Sequence, residues 1–297
     1  MLERPPDVTD DEVLDLVREH WEPRADAVEH LPVGWGAHHW RVDVAGEPVL
    51  FATLDPDLPR HTLASLEAAY ASAAALDLDF VWPSLPAGSG AYVVGLGRRK
   101  LSVTGWLDGE RPEESVPELP DLLARLHAAP PPATALPWEC EVEPDLGDRL
   151  RDLLQQAWPE PLGPAARELV VEHLAQVGAW CREHARLLAL ADPTAYVVTH
   201  GEPHRRNQWV ARGRTWLIDW ESLRLAPRER DLATLVHEGR DVDHDPQMVR
   251  LFDLEWRLGE IWSFAQWLQG PHVGDHDDRI ALGGLTSELT RPHFGEG

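Results

Sequence analysis

Strand signals in this chain crowd into its first third, and helix signals fill most of the remainder. Strands grouped ahead of helices point to antiparallel pairing and an α+β architecture. The segment Leu31-Pro-Val-Gly-Trp-Gly-Ala-His-His-Trp-Arg-Val-Asp-Val44 reads as a strand, a glycine-containing turn and a second strand. Glu47 to Leu54 is a third strand after the turn at Gly46. Ala91 to Leu96 and Leu101 to Leu107 make a hairpin around Gly97-Arg-Arg-Lys100. Two helices accompany these strands. Asp10 to Trp21 has acids at its start and an apolar face at Val13, Leu14, Leu16 and Val17; Thr62 to Leu76 is rich in Ala and Leu.

After Gly109 the character changes. Leu119 to His127 is helical, and Ala129-Pro-Pro-Pro-Ala-Thr-Ala-Leu-Pro137 is a stiff connector, because consecutive prolines cannot continue a helix. Two longer helices are predicted at Leu146 to Trp158 and Pro164 to Ala189. A short strand, Tyr196 to Thr199, feeds the loop 200–207. Gln208 to Ala211, a turn at Arg212-Gly-Arg, and Thr215 to Ile218 form a second hairpin, followed by helices at Leu232 to His237 and Met248 to Leu268.

With 297 residues, 43% hydrophobic and 26% charged, the chain has the composition of a globular protein of one large domain or two lobes. The start, Met1-Leu-Glu-Arg-Pro-Pro, lacks an apolar signal-peptide core, and no run of 18 apolar residues occurs. The expectation is a cytoplasmic protein that neither spans nor binds a membrane. Cys140 and Cys181 are the only cysteines, too few for a disulfide framework. A net charge of −24 argues against nucleic-acid binding, where phosphates would be repelled, and favours cationic partners. Lys100 is the only lysine, so any chemistry that needs a lysine must use it.

The chemistry concentrates in Val197-Val-Thr-His-Gly-Glu-Pro-His-Arg-Arg-Asn207 and Trp216-Leu-Ile-Asp-Trp-Glu221. Phosphoryl transfer needs an oriented nucleophile, metal ions on the phosphates and dipoles that hold charge. A loop carboxylate, an asparagine five residues on and an aspartate past the next hairpin meet those needs, and Glu202, Asn207 and Asp219 have that spacing. His200 and His204 flank Glu202 with the four-residue spacing of a helical zinc pair, but Gly201 and Pro203 argue against a helix there.

On those two motifs, and on Leu225-Ala-Pro-Arg-Glu-Arg-Asp-Leu-Ala233, the chain resembles the aminoglycoside phosphotransferase family, in its spectinomycin-phosphotransferase-like branch. Weaker matches are Leu122-Leu-Ala-Arg-Leu-His127, Leu101 to Gly109 and Trp256 to Trp262, so the likeness runs through most of the chain in order. The resemblance implies a bilobal, protein-kinase-like fold with a nucleotide-covering lobe over 1–105 and a catalytic lobe over 106–297. It implies Mg2+ and ATP or GTP, a small cationic acceptor, and a monomer or homodimer. By the same resemblance Glu202 is the catalytic carboxylate, His200 supports its loop, and Asn207 and Asp219 hold metal. Asp231 organises that loop from the following helix. Gly34 and Gly36 lie in the phosphate-covering turn, Thr53 stands near the third-strand lysine position, and Val103, Thr104 and Trp106 fall in the adenine-binding linker.

Two positions depart from the family pattern. Glu202 replaces an aspartate, and Thr53 replaces the lysine that pairs with a helix glutamate, here Glu67. Lys100 is assigned to a turn, and two readings stand open: Arg41, His38 or His39 contacts phosphate instead, or nucleotide use is weak or altered. Ser222, Asp253, Glu255 and Glu260 are expected near an acceptor pocket or on a solvated face. Trp209, Trp216, Trp220, Trp256, Trp262 and Trp267 are expected mostly in the core. The functional expectation is transfer of a γ-phosphoryl group to a hydroxyl of an aminocyclitol-like or other small polar acceptor. The alternative is a non-catalytic, kinase-like ligand-binding or regulatory protein.

Overall fold

The computed structural model describes residues 3–34, 36–55 and 61–294, which group into two compact units. Unit 1 comprises Met1–Trp138 with Tyr196–Ala226; unit 2 comprises Glu139–Ala195 with Pro227–Gly297.

Unit 1 begins with α1 (Asp10–His20), set by a capping box in which the Thr9 side chain accepts from Glu12 N and the Glu12 carboxylate accepts from Thr9 N. The strands β1 (Ala27–Leu31), β2 (His38–Val44) and β3 (Glu47–Asp55) follow, then α2 (Leu63–Ala75), β4 (Val93–Leu96) and β5 (Arg99–Gly105). They form one antiparallel sheet in the order β1-β2-β3-β5-β4. Leu50, Ala52 and Leu54 alternate onto one face and pack with Val13, Val17, Trp40, Val42, Leu101 and Val103. Phe51, Thr53 and Asp55 take the other face by the same period of two.

The rest of unit 1 is α3 (Leu119–His127), β6 (Val197–Thr199), the hairpin β7 (Gln208–Ala211) and β8 (Arg214–Leu217), and β9 (Arg224–Ala226). β6 pairs antiparallel with β9, and β8 is held by Leu217 N to Phe80 O at 2.7 Å and Trp82 N to Leu217 O at 3.0 Å.

Unit 2 is helical: α4 (Leu146–Leu153), α5 (Gly163–Leu188), α6 (Glu229–His237), α7 (Pro246–Gln269) and α8 (His276–Thr290). α7 packs against α5 and α8 through Leu251, Leu254, Leu258, Ile261, Ala265 and Leu268, all buried at alternating three- and four-residue spacing. No helix among the described residues is long and apolar enough to cross a membrane.

The α+β class expected from the sequence is the class observed. Four local readings change. The first strand ends at Leu31 rather than starting there. α4 stops at Leu153, well short of Trp158. Lys100 is in β5, opposite Asp55 and Gly95, so the turn is formed by the residues before it. β9 and α8 were not read from the sequence; α8 buries only Ala281, Leu285 and Leu289 among its hydrophobics, a thin stripe between polar residues and glycines.

Candidate active site

Two loops of unit 1 leave the ends of β6 and β8, and one histidine joins them. His200 is fully buried, its Nε2 donates to Ile218 O at 2.9 Å, and its Nδ1 accepts from Glu202 N at 3.3 Å. Those partners fix a neutral imidazole with its proton on Nε2. Trp220 packs its ring against His200 at 4.5 Å between centroids. Asn207 closes the circuit: Nδ2 donates to Glu202 O at 3.0 Å, and Ile218 N donates to Asn207 O at 3.0 Å. That bond fixes the Asn207 amide, whose oxygen remains an acceptor.

Asp219 follows at φ +68°, in the left-handed region that few residues other than glycine adopt, although aspartate tolerates it. Backbone held this way is over-represented at functional sites. Glu202 is positioned by Ser222 Oγ, which donates to Oε1 at 3.2 Å, and His204 Nε2 lies 3.8 Å from Oε2. Gln208 ties the loop to a neighbouring segment, with Nε2 donating to Pro203 O at 2.7 Å and Oε1 accepting from Val116 N at 2.8 Å. Nothing in the sequence pattern singled out Gln208, because its role depends on a segment 92 residues away.

Asp219 does not stand alone. Burial, then Glu202 and Asp55, push its carboxyl up to about 7, against a smaller opposing pull from Arg111. Glu221 is raised well above the carboxylate range by burial and by Asp219, Asp55 and Glu202. Both Asp55 oxygens are buried without a donor when the acids are ionised; a proton on Glu221 supplies one. His61 lies beside this pair, Nδ1 at 3.6 Å from Asp55 and Nε2 at 3.7 Å from Glu221. The buried Tyr70 hydroxyl, raised by burial and by the same acids, borders the cluster. A group of four acids, with both Asp55 oxygens orphaned, suits a hard divalent cation such as Mg2+, which takes oxygen ligands. Sequence reading gave no role to Asp55 and His61, which no motif spacing connects, and quoted Glu221 only as the end of the Asp219 motif.

Gly34 (φ +74°) and Gly36 (φ +95°) shape the β1–β2 turn, and a Cβ on Gly34 would come within 2.9 Å of His39 Nε2. Thr53 Oγ1 is bonded to His39 Nδ1 at 3.2 Å, and His39 stacks on Phe51. Val103 lies in the sheet core, and its carbonyl accepts from Leu85 N at 2.7 Å. Thr104 pairs with Phe51 and bridges to Ser84. Trp106 donates through its amide to Val49 O and through Nε1 to Asp108.

The expected phosphate substitutes are uncharged or already paired with acids. Burial pushes His38 down to about 4 and His39 to about 3, so both are neutral near pH 7. Arg41 is held by Glu29 and Asp43, each at 2.9 Å. Glu67 accepts from Tyr92 N and Val93 N instead of a lysine. Cations do remain beside the loop. Arg205 and Arg206 are exposed within it, and Arg111 follows Glu110, whose backbone pairs with Val210. Burial, then Arg206 and Arg205, lower the Arg111 pKa, and none of the three has an ion-pair partner among the described residues.

In unit 2, Asp253 is no pocket wall: it is fully buried and paired with Arg291 at 2.7 Å and His293 at 2.5 Å. Trp216 and Trp220 are buried, as expected, while Trp256 is 41% exposed.

A profile of the phosphotransferase enzyme family matches residues 28–268. Over 96 residues the chain is 38% identical to Protein StrN of Streptomyces griseus, a match spanning 32% of this chain and 30% of that protein. In fold it is similar to spectinomycin phosphotransferase APH(9)-Ia in complex with ADP and spectinomycin (TM-score 0.71, 15% identity, 95% of this chain and 94% of that one). It is also similar to a microcompartment-associated aminopropanol kinase (TM-score 0.63, 16% identity, 94% and 95% covered).

Proposed function

Since the chain belongs to the phosphotransferase enzyme family, we propose that it moves the γ-phosphoryl group of ATP or GTP to a hydroxyl of a small, cationic, aminocyclitol- or amino-alcohol-like acceptor. The observation that carries this reading is the hydrogen-bonded circuit of His200, Glu202, Asn207 and Ile218, which ties the loop bearing Glu202 and Asn207 to the residue before Asp219. Spectinomycin and aminopropanol, named for two proteins of similar fold, are both amine-bearing alcohols, and a net charge of −24 favours such cations. Lobes over 1–105 and 106–297, with the nucleotide beneath the Gly34–Gly36 turn, belong to the same proposal.

In this reaction Glu202 orients the acceptor hydroxyl and takes its proton as the oxygen bonds to the γ-phosphorus and the bond to the β-phosphate oxygen breaks. Ser222 holds the Glu202 carboxylate for that task. Asn207 and Asp219 would hold Mg2+, with Asp55 adding negative charge behind them and Glu221 sharing its proton with Asp55. Bound Mg2+ supplies neutralisation of the phosphate oxygens. Arg111, with Arg205 and Arg206 beside it, takes the phosphate-binding part that Thr53 cannot. The test is Glu202→Gln. Turnover should fall by about 10²–10⁴ while Mg·nucleotide still raises the melting temperature. Full turnover in the variant removes Glu202 from the mechanism.

One observation favours a second reading, a non-catalytic ligand-binding protein: Thr53 is tied to neutral His39, so the third strand offers no cation. Thermal shifts with millimolar nucleotide, with and without Mg2+, separate the two. No shift in either condition favours the second.

A further inference from the structure

Unit 2 carries a donor cluster of a different kind. Cys140 precedes α4, His184 is on α5 and Glu255 is on α7. Their sulfur, imidazole nitrogen and carboxylate oxygen all lie within 4.8 Å of one another. Cys140 Sγ stands 3.7 Å from His184 Nε2. Zinc–sulfur bonds of about 2.3 Å and zinc–nitrogen bonds of about 2.0–2.1 Å at a tetrahedral angle put the two ligand atoms about 3.6 Å apart. Sulfur and nitrogen are therefore already at ligand spacing. His184 is 3% exposed, and Cys140 is its one polar partner among the described residues. The Glu255 carboxylate is fixed beside them, because Oε1 accepts from Glu141 N at 3.1 Å.

We propose that Cys140, His184 and Glu255 bind a zinc ion, with water as fourth ligand. A sulfur, nitrogen and oxygen set on a tetrahedron is a zinc set, whereas Mg2+ and Ca2+ take oxygen alone. Three protein ligands leave one position for water, and Cys140 and Glu255 are only half-buried, so the ion has a way in. On binding, the Cys140 S–H bond breaks, a sulfur–zinc bond forms and one proton passes to solvent. Burial, with Glu255 next, otherwise keeps that thiol protonated, and the neutral His184 ring offers a lone pair without losing a proton. The ion would pin the segment before α4 to both α5 and α7. This site stands independently of the phosphotransfer reading.

The test uses the purified full chain, stripped with a chelator and titrated with Zn2+ against a chromophoric competitor, then with Co2+. One equivalent should bind, and the cobalt form should show a near-ultraviolet thiolate-to-metal band. Cys140→Ser and His184→Gln should each weaken zinc by more than about 100-fold, beyond the usual cost of losing an outer partner of a ligand. Cys181→Ser should not. Should the variants fold poorly, alkylation of the wild-type chain decides: zinc should protect Cys140 and leave Cys181 as reactive as before. No stoichiometric zinc, a cobalt spectrum without the sulfur band, or equal alkylation of both cysteines with and without zinc overturns the proposal.

Discussion

At the scale of single residues, the departures from the family pattern have different physical answers. Glu202 reaches further than aspartate, and Ser222 Oγ at 3.2 Å meets that reach, so the longer side chain has a partner of its own. Thr53 has no cationic substitute on its strand, and under the proposed function the charge comes from Arg111 and its neighbours. Arg111→Ala should weaken ADP or ATP by about 10–100-fold, the worth of one charged hydrogen bond, and leave AMP nearly unchanged. Arg111→Lys should recover part of the loss. Calorimetric titration of the three nucleotides reads this, and equal weakening of AMP would place Arg111 away from the terminal phosphates. The strand, loop and hairpin that carry Glu202, Asn207 and Asp219 were legible in the sequence because they are local in the chain. Asp55, His61, Arg111 and Gln208 were not, because each meets the loop through a contact distant in sequence.

At the scale of elements, α2 is joined to the sheet differently from the family pattern. Glu67 of α2 accepts from Tyr92 N and Val93 N at 2.8 and 3.1 Å, so it anchors the start of β4. Glu67→Ala should cost about 1–3 kcal/mol, seen as a melting point lower by several degrees, with turnover within about twofold. A large loss of turnover without a loss of stability would return Glu67 to a catalytic part. The β1–β2 pair has its own pH dependence. His38 is pushed down to about 4, first by burial and then by Arg99, and the unfolded chain takes up that proton near 6.5. Stability is then complete above pH 6.5 and is lost as pH falls from there toward 4. His38→Gln should flatten the melting curve between pH 7 and 5 relative to wild type. Most strands were readable from alternation, though not β1 or β9, and α8 was hidden because its start rests on an Asp275–Asp278 capping box rather than on apolar periodicity.

At the scale of the whole molecule, charge has two signs to reconcile. The chain carries −24 overall, yet Arg111, Arg205 and Arg206 lie together, none in a close ion pair among the described residues, with the Asp219 carboxyl interacting with Arg111. A field of that size draws cations from beyond contact distance and repels a nucleotide polyanion until it meets the local arginines. Salt cancels the long-range part first, because the screening length is about 10 Å at 0.1 M and about 3 Å at 1 M. Raising ionic strength from about 10 mM to 500 mM should therefore lower kcat/KM for a cationic acceptor several-fold and leave a neutral polyol acceptor nearly unchanged. The KM for Mg·nucleotide should not follow the cationic acceptor's trend, since screening removes long-range repulsion along with arginine attraction. Initial rates across a salt series, with each substrate varied in turn, measure both. A cationic and a neutral acceptor that respond alike would make the acidic surface a matter of solubility alone and remove the charge argument for a cationic acceptor. A split response would tie the composition of the entire chain to the choice of substrate, which no single motif can do.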